Sequence, residues 1–453
     1  MENILAFELT KEYLEHFTEA VEAQNDDFII RSLDGVKYED ITTLLQEFDT
    51  EESKYVLQLL NKEVAAEVII GLDEEVREGF LKSFSPKQIA EFVEHLETDD
   101  AADMLNELSI KIREEVLSHI QNKEKARHVL ELLRYEEDCA GGLMAKEIIK
   151  ANRNWTVIQT IEEIRRQAEK VEKIYSVYVV DNDGVLLGRV ALKKIILSTD
   201  KTRIDDIFES DIAAVHTYQH EEEVAEIMRK YDLEAIPVVN VSGQLVGRIT
   251  IDDIVDVITE QAEQERQLMA GISEDVEEDD SVWLLTRARL PWLIIGLFGG
   301  LIGARFISIF EADLASVTAL AFFIPLVTAT GGNVGIQSSA LVVQSLVNPS
   351  AFSSGLMAKL VKVLLVALVN GLALAALVFG LVYFTNSSKL AIVVSIALFN
   401  VVLLASLMGT LVPLLLDKLG FNPALASGPF ITTANDLIGL LVYFSIAHML
   451  YNL

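Results

Sequence analysis

ITTANDLIGLLVYF, residues 431–444, sets one carboxylate, Asp436, in the middle of an otherwise apolar run. The surrounding stretch, 423–450, is long enough to cross a hydrocarbon core of about 30 Å, which takes roughly 20 helical residues. A carboxylate at that depth costs at least ~2.5 kcal/mol on insertion scales, so it faces a polar cavity or an ion path, or else is held protonated between helices. No Lys or Arg shares the stretch as a counter-ion. A cation is the simplest partner.

Working outward, four more apolar stretches precede this one, near 290–310, 315–346, 356–384 and 390–416. Arg287 and Arg289 stand before the first, Lys359 and Lys362 between the second and third, and Lys418 between the fourth and fifth. The opposite loops hold Glu311, Asp313 and Lys389. By the positive-inside rule the N-terminal half is expected in the cytoplasm and the C-terminus outside, which an odd number of spans allows.

The second stretch contains FFIPLVTATGGNVGIQSSALVVQ, 322–344. Pro325, Gly331, Gly332 and Gly335 are expected to weaken its helix and let backbones approach. Thr328, Thr330, Asn333 and Gln337 add neutral oxygens. Polar, irregular backbone at membrane depth belongs against protein or water, and a small-residue packing face is the plainer alternative. Together with Asp436, the pattern favours a pore. Oxygen ligands suit a hard cation, whereas soft metals want Cys, Met or His. The seven His have no paired metal spacing inside the spans, and the single Cys139 makes neither a disulfide nor a multi-Cys site.

Everything before Arg287 has a different character. Residues 287–453 hold four acids (Glu311, Asp313, Asp417, Asp436) and seven bases, which leaves 65 acids and 30 bases in 1–286, a net charge near −35. Such a surface repels nucleic acid and anionic lipid and attracts cations. The start, MENILAFELTKEYLEHF, lacks a basic-then-apolar pattern, so no cleaved leader is expected.

Residues 1–134 have helical periodicity with little Gly or Pro. Units such as SPKQIAEFVEHL (85–96) and ETDDAADMLNEL (97–108) each start on a cap signal, Ser85-Pro86 and Thr98-Asp99. Stacked helical hairpins in a superhelix are expected. Beyond residue 140, YSVYVVDNDGVLLGRVALKKII (175–196) and LEAIPVVNVSGQLVGRITIDDIV (233–255) share one order: strand, tight Gly turn, strand, helix. This repeat resembles a tandem pair of CBS modules. Residues 254–286 are expected to form one long helix ending in the acid run SEDVEEDD (273–280).

ETDDAADML (97–105), LLRYEEDCAGGLM (132–144), TALAFFIPLVTATGGNVGIQSSA (318–340) and NPALASGPFITTANDLIGLLVYF (422–444) together resemble the MgtE family of magnesium channels over essentially the whole chain. The resemblance implies an α-helical N domain (1–134), α/β CBS modules (135–206 and 207–256), a connecting plug helix (257–286) and an α-helical membrane domain of five spans (287–453). It further implies a homodimer in the plasma membrane with the pore on the subunit interface. Asp436 takes the place of the Mg²⁺-selecting aspartate and Asn333 that of the GGN asparagine, with Gly331, Gly332 and Thr432 beside them. Ile336 departs from the family's polar residue before the Gln, and Cys139 stands where Thr is common.

The same resemblance assigns regulatory Mg²⁺ to Glu67, Asp99 and Asp103 in the N domain and to Glu222, Asp232, Asp253 and Asp256 in the second CBS module. On the connecting helix Gln261 and Gln264 stand where acids are expected, so Glu260 and Glu263 are the substitutes, with Glu265 beside them. CBS modules often hold an adenosine nucleotide such as ATP on a Thr-x-x-Asp. The second module has Thr250 and Asp253, whereas the first has Ala191 and Lys194. The expected function is passive Mg²⁺ conduction, closed by Mg²⁺ on the acidic half. A secondary transporter with alternating access is the rival, although five spans divide poorly into repeats. No Walker A, Ser-His-Asp or phosphorylation motif is present, so no enzyme activity is expected.

Overall fold

The computed structural model describes residues 9–72, 74–167, 173–274, 276, 280–347, 356–385, 387–426 and 428–451. Its chain divides into two compact units, Met1–Ile258 and Thr259–Leu453.

The first unit opens with short helices: α1 (Lys11–Glu22), α2 (Asp26–Leu33), α3 (Tyr38–Leu45), α4 (Thr50–Leu59), α5 (Lys62–Ile70), α6 (Glu74–Leu81), α7 (Pro86–Val93), α8 (Thr98–Asn106), α9 (Ile110–His119) and α10 (Lys123–Leu132). Helices two apart pack together: α3 on α5, α5 on α7, α7 on α9, and likewise α2 on α4, α4 on α6 and α8 on α10. That alternation is the expected superhelical stack. Capping boxes start α4 (Asp49 with Glu52) and α7 (Ser85 with Gln88, Pro86 following). The start signal expected at Thr98 works differently. Glu97 is the cap residue of α8 and makes no side-chain cap bond. Thr98 is buried, and its hydroxyl accepts from Lys146 N (2.8 Å) and donates to Glu147 Oε2 (2.7 Å).

Two three-stranded sheets follow. In one, β1 (Lys150–Asn152) runs parallel to β2 (Val177–Val180), which is antiparallel to β3 (Leu186–Val190). In the other, β4 (Val215–His216), β5 (Ala235–Val239) and β6 (Leu245–Thr250) repeat the arrangement. Their helices are α11 (Val157–Gln167), α12 (Leu192–Leu197), α13 (Glu221–Tyr231) and α14 (Ile251–Ala270). Gly184 (φ +80°) and Gly243 (φ +76°) supply the left-handed turn residue in equivalent hairpins. The two turns also pair with each other, Leu186 N donating to Gly243 O and Leu245 N to Gly184 O, both at 3.0 Å. The first sheet has its own apolar core around Val177, Val179 and Val190. The second shares one continuous core with the N-terminal helices, from Phe17 through Leu105 to Ile236 and Ile254. The acids of α8 therefore belong with the second module.

In the second unit the single helix expected over 254–286 does not form. α14 ends at Ala270, where Gly271 (φ +82°) turns the chain while Ile272 N donates back to Gln267 O. A new helix, α15 (Val282–Ile309), starts on Ser281, whose hydroxyl accepts from Leu284 N. Of the acid run, Asp275, Glu277, Glu278 and Asp279 lie outside the described residues. Next come α16 (Glu311–Ser316), a 3₁₀ turn Thr318–Phe323, α17 (Ile324–Val347), α18 (Leu356–Thr385), α19 (Ser388–Lys418), a 3₁₀ turn Pro423–Ala426 and α20 (Pro429–Tyr451). Among the described residues, five segments are long and apolar enough to cross a membrane: Val282–Ile309, Thr318–Leu346, Met357–Thr385, Ser388–Lys418 and Pro423–Tyr451. The most buried, α19, packs against α17, α18 and α20.

A second expectation fails here too. The Gly-rich stretch is unbroken α-helix from Ile324 to Val347. Pro325 occupies its first turn, where the missing N–H has no partner to lose.

Candidate functional site

α17 crosses α20 on its glycines. A methyl added at Gly332 would lie 3.2 Å from Thr432 Cγ2 and 3.7 Å from Asp436 Oδ1. One at Gly331 would lie 2.9 Å from Val401 Cγ1, and one at Gly335 would collide with Asn435 Nδ2. The missing side chains at Gly332 and Gly335 let α20 approach so closely, and that at Gly331 admits Val401 of α19. The structure thus brings together three of the five residues expected at the pore, Asp436, Thr432 and Gly332, while Gly331 faces Val401 of α19. Asn333 lies on an exposed part of α17, as does Gln337. Thr432 and Thr328 spend their hydroxyls on their own helices, donating to Gly428 O (2.9 Å) and Ile324 O (3.1 Å).

Asn435 is a residue that the sequence reading passed over. It is 1% exposed, and neither Oδ1 nor Nδ2 has a hydrogen-bond partner among the described residues. At the far end of α20, His448 Nδ1 stands 2.8 Å from the buried Asp313 carboxylate, which the sequence had placed in an open loop. The end of α14 also reaches the start of α20. Side chains at Gly271 and Gly428 would run into Pro429 and Met269 O, so both junctions need glycine.

The second site is acidic and lies in the first unit. Asp99 is buried, and its pKa is driven well above the carboxylate range by burial first, then by Asp100 and Asp253. Asp100, absent from the expected set, is pushed to about 8 by burial, Asp253, Asp103 and Glu67. Asp103 has an outer edge open to solvent, yet desolvation by the surrounding protein and then Glu137 push it to about 7, against Arg77. Asp253 rises to about 6 through burial, opposed by hydrogen bonds from Thr250, whose N and Oγ1 both donate to Oδ2 (3.0 and 2.9 Å). Asp256 is raised by partial burial and Asp252. The fold thus gathers Glu67, Asp99, Asp103 and Asp253 and adds Asp100, Glu97 and Glu147.

Other expected acids stay apart from this cluster. Glu222 and Asp232 sit at opposite ends of α13, about 15 Å apart at 1.5 Å per residue. Glu263 ion-pairs with Arg266 one turn along α14, and Glu260 is exposed. Among the described residues, no three of His, Cys, Asp and Glu converge as a ready inner-sphere cage. The all-oxygen donor set suits a hydrated Mg²⁺, which sheds water reluctantly and accepts carboxylates through its water shell.

Between the two sheets lies a cavity of about 480 Å³, lined among others by Tyr178, Arg189, Asp211, Tyr231 and Pro237. That volume is within the range of small-ligand sites. Thr250 and Asp253 do not line it; their mutual hydrogen bonds turn them towards the acid cluster.

Family models match in three blocks: "Divalent cation transporter" over 324–446, "MgtE intracellular N domain" over 36–138, and CBS domains over 140–198 and 204–260. The magnesium transporter MgtE of Thermus thermophilus is 34% identical over 92% of this chain and 94% of its own. The chain belongs to the MgtE family. The MgtE of Enterococcus faecalis is 39% identical over 72% of each chain. A crystal structure of the cytosolic domain of the Mg²⁺ channel MgtE in complex with ATP, 34% identical, covers 53% of this chain and 98% of that one with a TM-score of 0.51. As an MgtE, this chain is a multi-pass membrane protein with a soluble N-terminal part.

The raised carboxyls make the MgtE soluble part pH-sensitive. Each binds its proton more tightly folded than unfolded, so ionisation opposes folding. That loss begins above the unfolded carboxyl value, near pH 4, and for Asp100 runs on through about pH 8. In Mg²⁺-free buffer, the melting temperature of the detergent-solubilised protein should therefore fall from about pH 5 to about pH 8, and saturating Mg²⁺ should remove most of the fall. A melting temperature that stays flat over this range without Mg²⁺ would contradict the crowding of these acids.

Proposed function

We propose that this chain is a Mg²⁺-selective channel that carries passive inward flux and closes when Mg²⁺ binds its acidic cytoplasmic part. The observation that carries this reading is Asp436 standing against the glycine stripe of α17 with no Lys or Arg in its span. A fixed carboxylate on a close helix crossing attracts a hard cation and leaves its water shell in place. Two relatives bear the name magnesium transporter, and a similar solved structure is that of the cytosolic domain of a Mg²⁺ channel.

In this reading the protein is a homodimer in the plasma membrane, with the first unit cytoplasmic and the C-terminus outside, as the loop charges suggest. Carboxylates that repel without Mg²⁺ and tolerate close packing with it bias a two-state equilibrium towards the compact, closed form. The cavity between the CBS sheets is the place for an adenosine nucleotide. Arg189 would meet phosphate there, and Tyr178 or Tyr231 would stack on a base.

No coupled energy source is required. A divalent ion gains roughly 4.6 kcal/mol per 100 mV on moving inward, twice the single-charge figure. In proteoliposomes, Mg²⁺ influx should follow the Mg²⁺ gradient and the membrane potential and be unaltered when proton and Na⁺ gradients are collapsed. Flux that stops with either gradient would favour alternating-access transport instead.

A further inference from the structure

Arg248 is a cation built into the acidic joint. It lies on β6, is 5% exposed, and sits five residues before Asp253. Its Nη2 donates to both oxygens of Glu97 at 3.0 Å, its Nη1 donates to Lys173 O at 3.0 Å, and the guanidinium lies over the Tyr175 ring. Glu97 is the cap residue of α8, directly before Thr98, Asp99 and Asp100. The backbone of Arg248 holds the other side of the joint. It exchanges hydrogen bonds with Ala145 (2.8 and 3.0 Å), and the next two residues, Lys146 and Glu147, lock the Thr98 hydroxyl. One residue thereby ties the first turn of α8 to β6 by two routes.

The other nearby cations are engaged differently. Lys146 pairs with Glu131 (2.9 Å), the Lys125 ammonium donates to Leu96 O, and Arg77, beside Asp103, holds Glu107 through Oε1 alone (2.5 and 2.6 Å). None of the three grips an acid of α8 at both oxygens. A guanidinium that shares one amino group between both oxygens of a carboxylate and gives the other to a backbone carbonyl is held in orientation as well as distance, most strongly when desolvated.

We propose that Arg248 is the positioning residue of the divalent-cation sensor: by holding Glu97 it keeps Asp99 and Asp100 facing Asp253 before any ion binds. This rests on the reading of that cluster as the regulatory Mg²⁺ site. Mg²⁺ then meets a formed site and need not assemble one, and Arg248 lowers the Mg²⁺ concentration at which the closed form appears. The opposite sign is also physical. If Arg248 chiefly competed with Mg²⁺ for the acids, its removal would make Mg²⁺ act at lower concentration.

The experiment is limited proteolysis of the full-length protein in detergent across a Mg²⁺ titration, for the wild type, Arg248→Gln, Arg248→Lys, Glu97→Gln and the double variant Arg248→Gln/Glu97→Gln. The protection midpoint should move about tenfold upward in Arg248→Gln and Glu97→Gln, and the double variant should go no further than either. Arg248→Lys, which keeps the charge and loses the fork, should fall between. The plateau at saturating Mg²⁺ should be regained throughout, whereas purely structural damage would lower the plateau. Should Arg248→Gln not fold, Glu97→Gln, which keeps the shape of its side chain, carries the test. An unchanged or lowered midpoint beside a normal wild-type titration overturns the role of Arg248 alone. Absence of Mg²⁺-dependent protection in the wild type removes the sensor reading and this inference with it.

Discussion

Asp436→Ala should abolish the preference for Mg²⁺ over Ca²⁺ and cut Mg²⁺ flux by at least about tenfold while leaving the protein folded. The size follows from electrostatics. A unit charge and a divalent ion about 5 Å apart, at an effective dielectric of about 20, attract by roughly 6–7 kcal/mol before desolvation is subtracted. Even a quarter of that remaining as net preference exceeds the ~1.4 kcal/mol that makes a tenfold change. Folding should survive, because the carboxylate is an insertion cost that alanine removes. Asp436→Asn separates charge from shape: it keeps the side-chain volume against Gly332 and should still lose selectivity. The measurement is Mg²⁺ uptake into liposomes with Ca²⁺ and Mn²⁺ as competitors. Unchanged flux and selectivity in both variants would make Asp436 a structural acid and move the pore elsewhere.

The membrane half was legible because hydropathy and length fix helix existence in lipid, where every backbone group must be satisfied within the segment. Gly184 and Gly243 were legible for a similar reason: each supplies a positive φ that its hairpin requires, so residue type and geometry coincide. The break at Gly271 was not, because a lone glycine within an acidic, helix-favouring stretch is tolerated as often as it terminates. Here glycine is required by its positive φ and again by Pro429, which a side chain would strike, and that second cause comes from far along the chain. Pro325 misled in the other direction. Its effect depends on where the helix begins, and the 3₁₀ turn at Thr318–Phe323 moves that start next to it.

Asp436 could be found because an acid in an apolar run stands out, whereas Asn435 beside it carries no charge and drew no attention. Arg248 and Glu97 lie 151 positions apart and have no spacing signature at all. Arg248 stands on β6 among Leu245, Val246, Gly247 and Ile249, and a charge in that apolar run was the one available hint. The CBS cavity likewise escaped notice because its lining comes from both sheets, and the Thr-x-x-Asp that was noticed is folded towards the N-terminal helices.

Neutralising Asp99, Asp100, Asp103 and Asp253 together to Asn should leave the channel open at Mg²⁺ concentrations that close the wild type. These four carboxyls are raised by burial and by one another, so each proton or cation that arrives relieves the rest. For that reason single substitutions should have small effects and the fourfold variant a large one, a non-additivity expected of groups in one network. Asn keeps the shape of each side chain and removes the mutual repulsion, and it also removes the charges that hold the cation. Two outcomes are thereby separated. If relief of repulsion alone is enough to form the compact, closed state, the variant should be closed without Mg²⁺. If closure needs the bound ion, it should be open with Mg²⁺, and the second is expected, because an amide cannot anchor the hydrated cation that ties α8 to α14. Flux measured with Mg²⁺ on the cytoplasmic face only, at the same membrane potential, tells them apart. Normal Mg²⁺-dependent closure in the fourfold variant would show that the sensing acids lie outside this cluster.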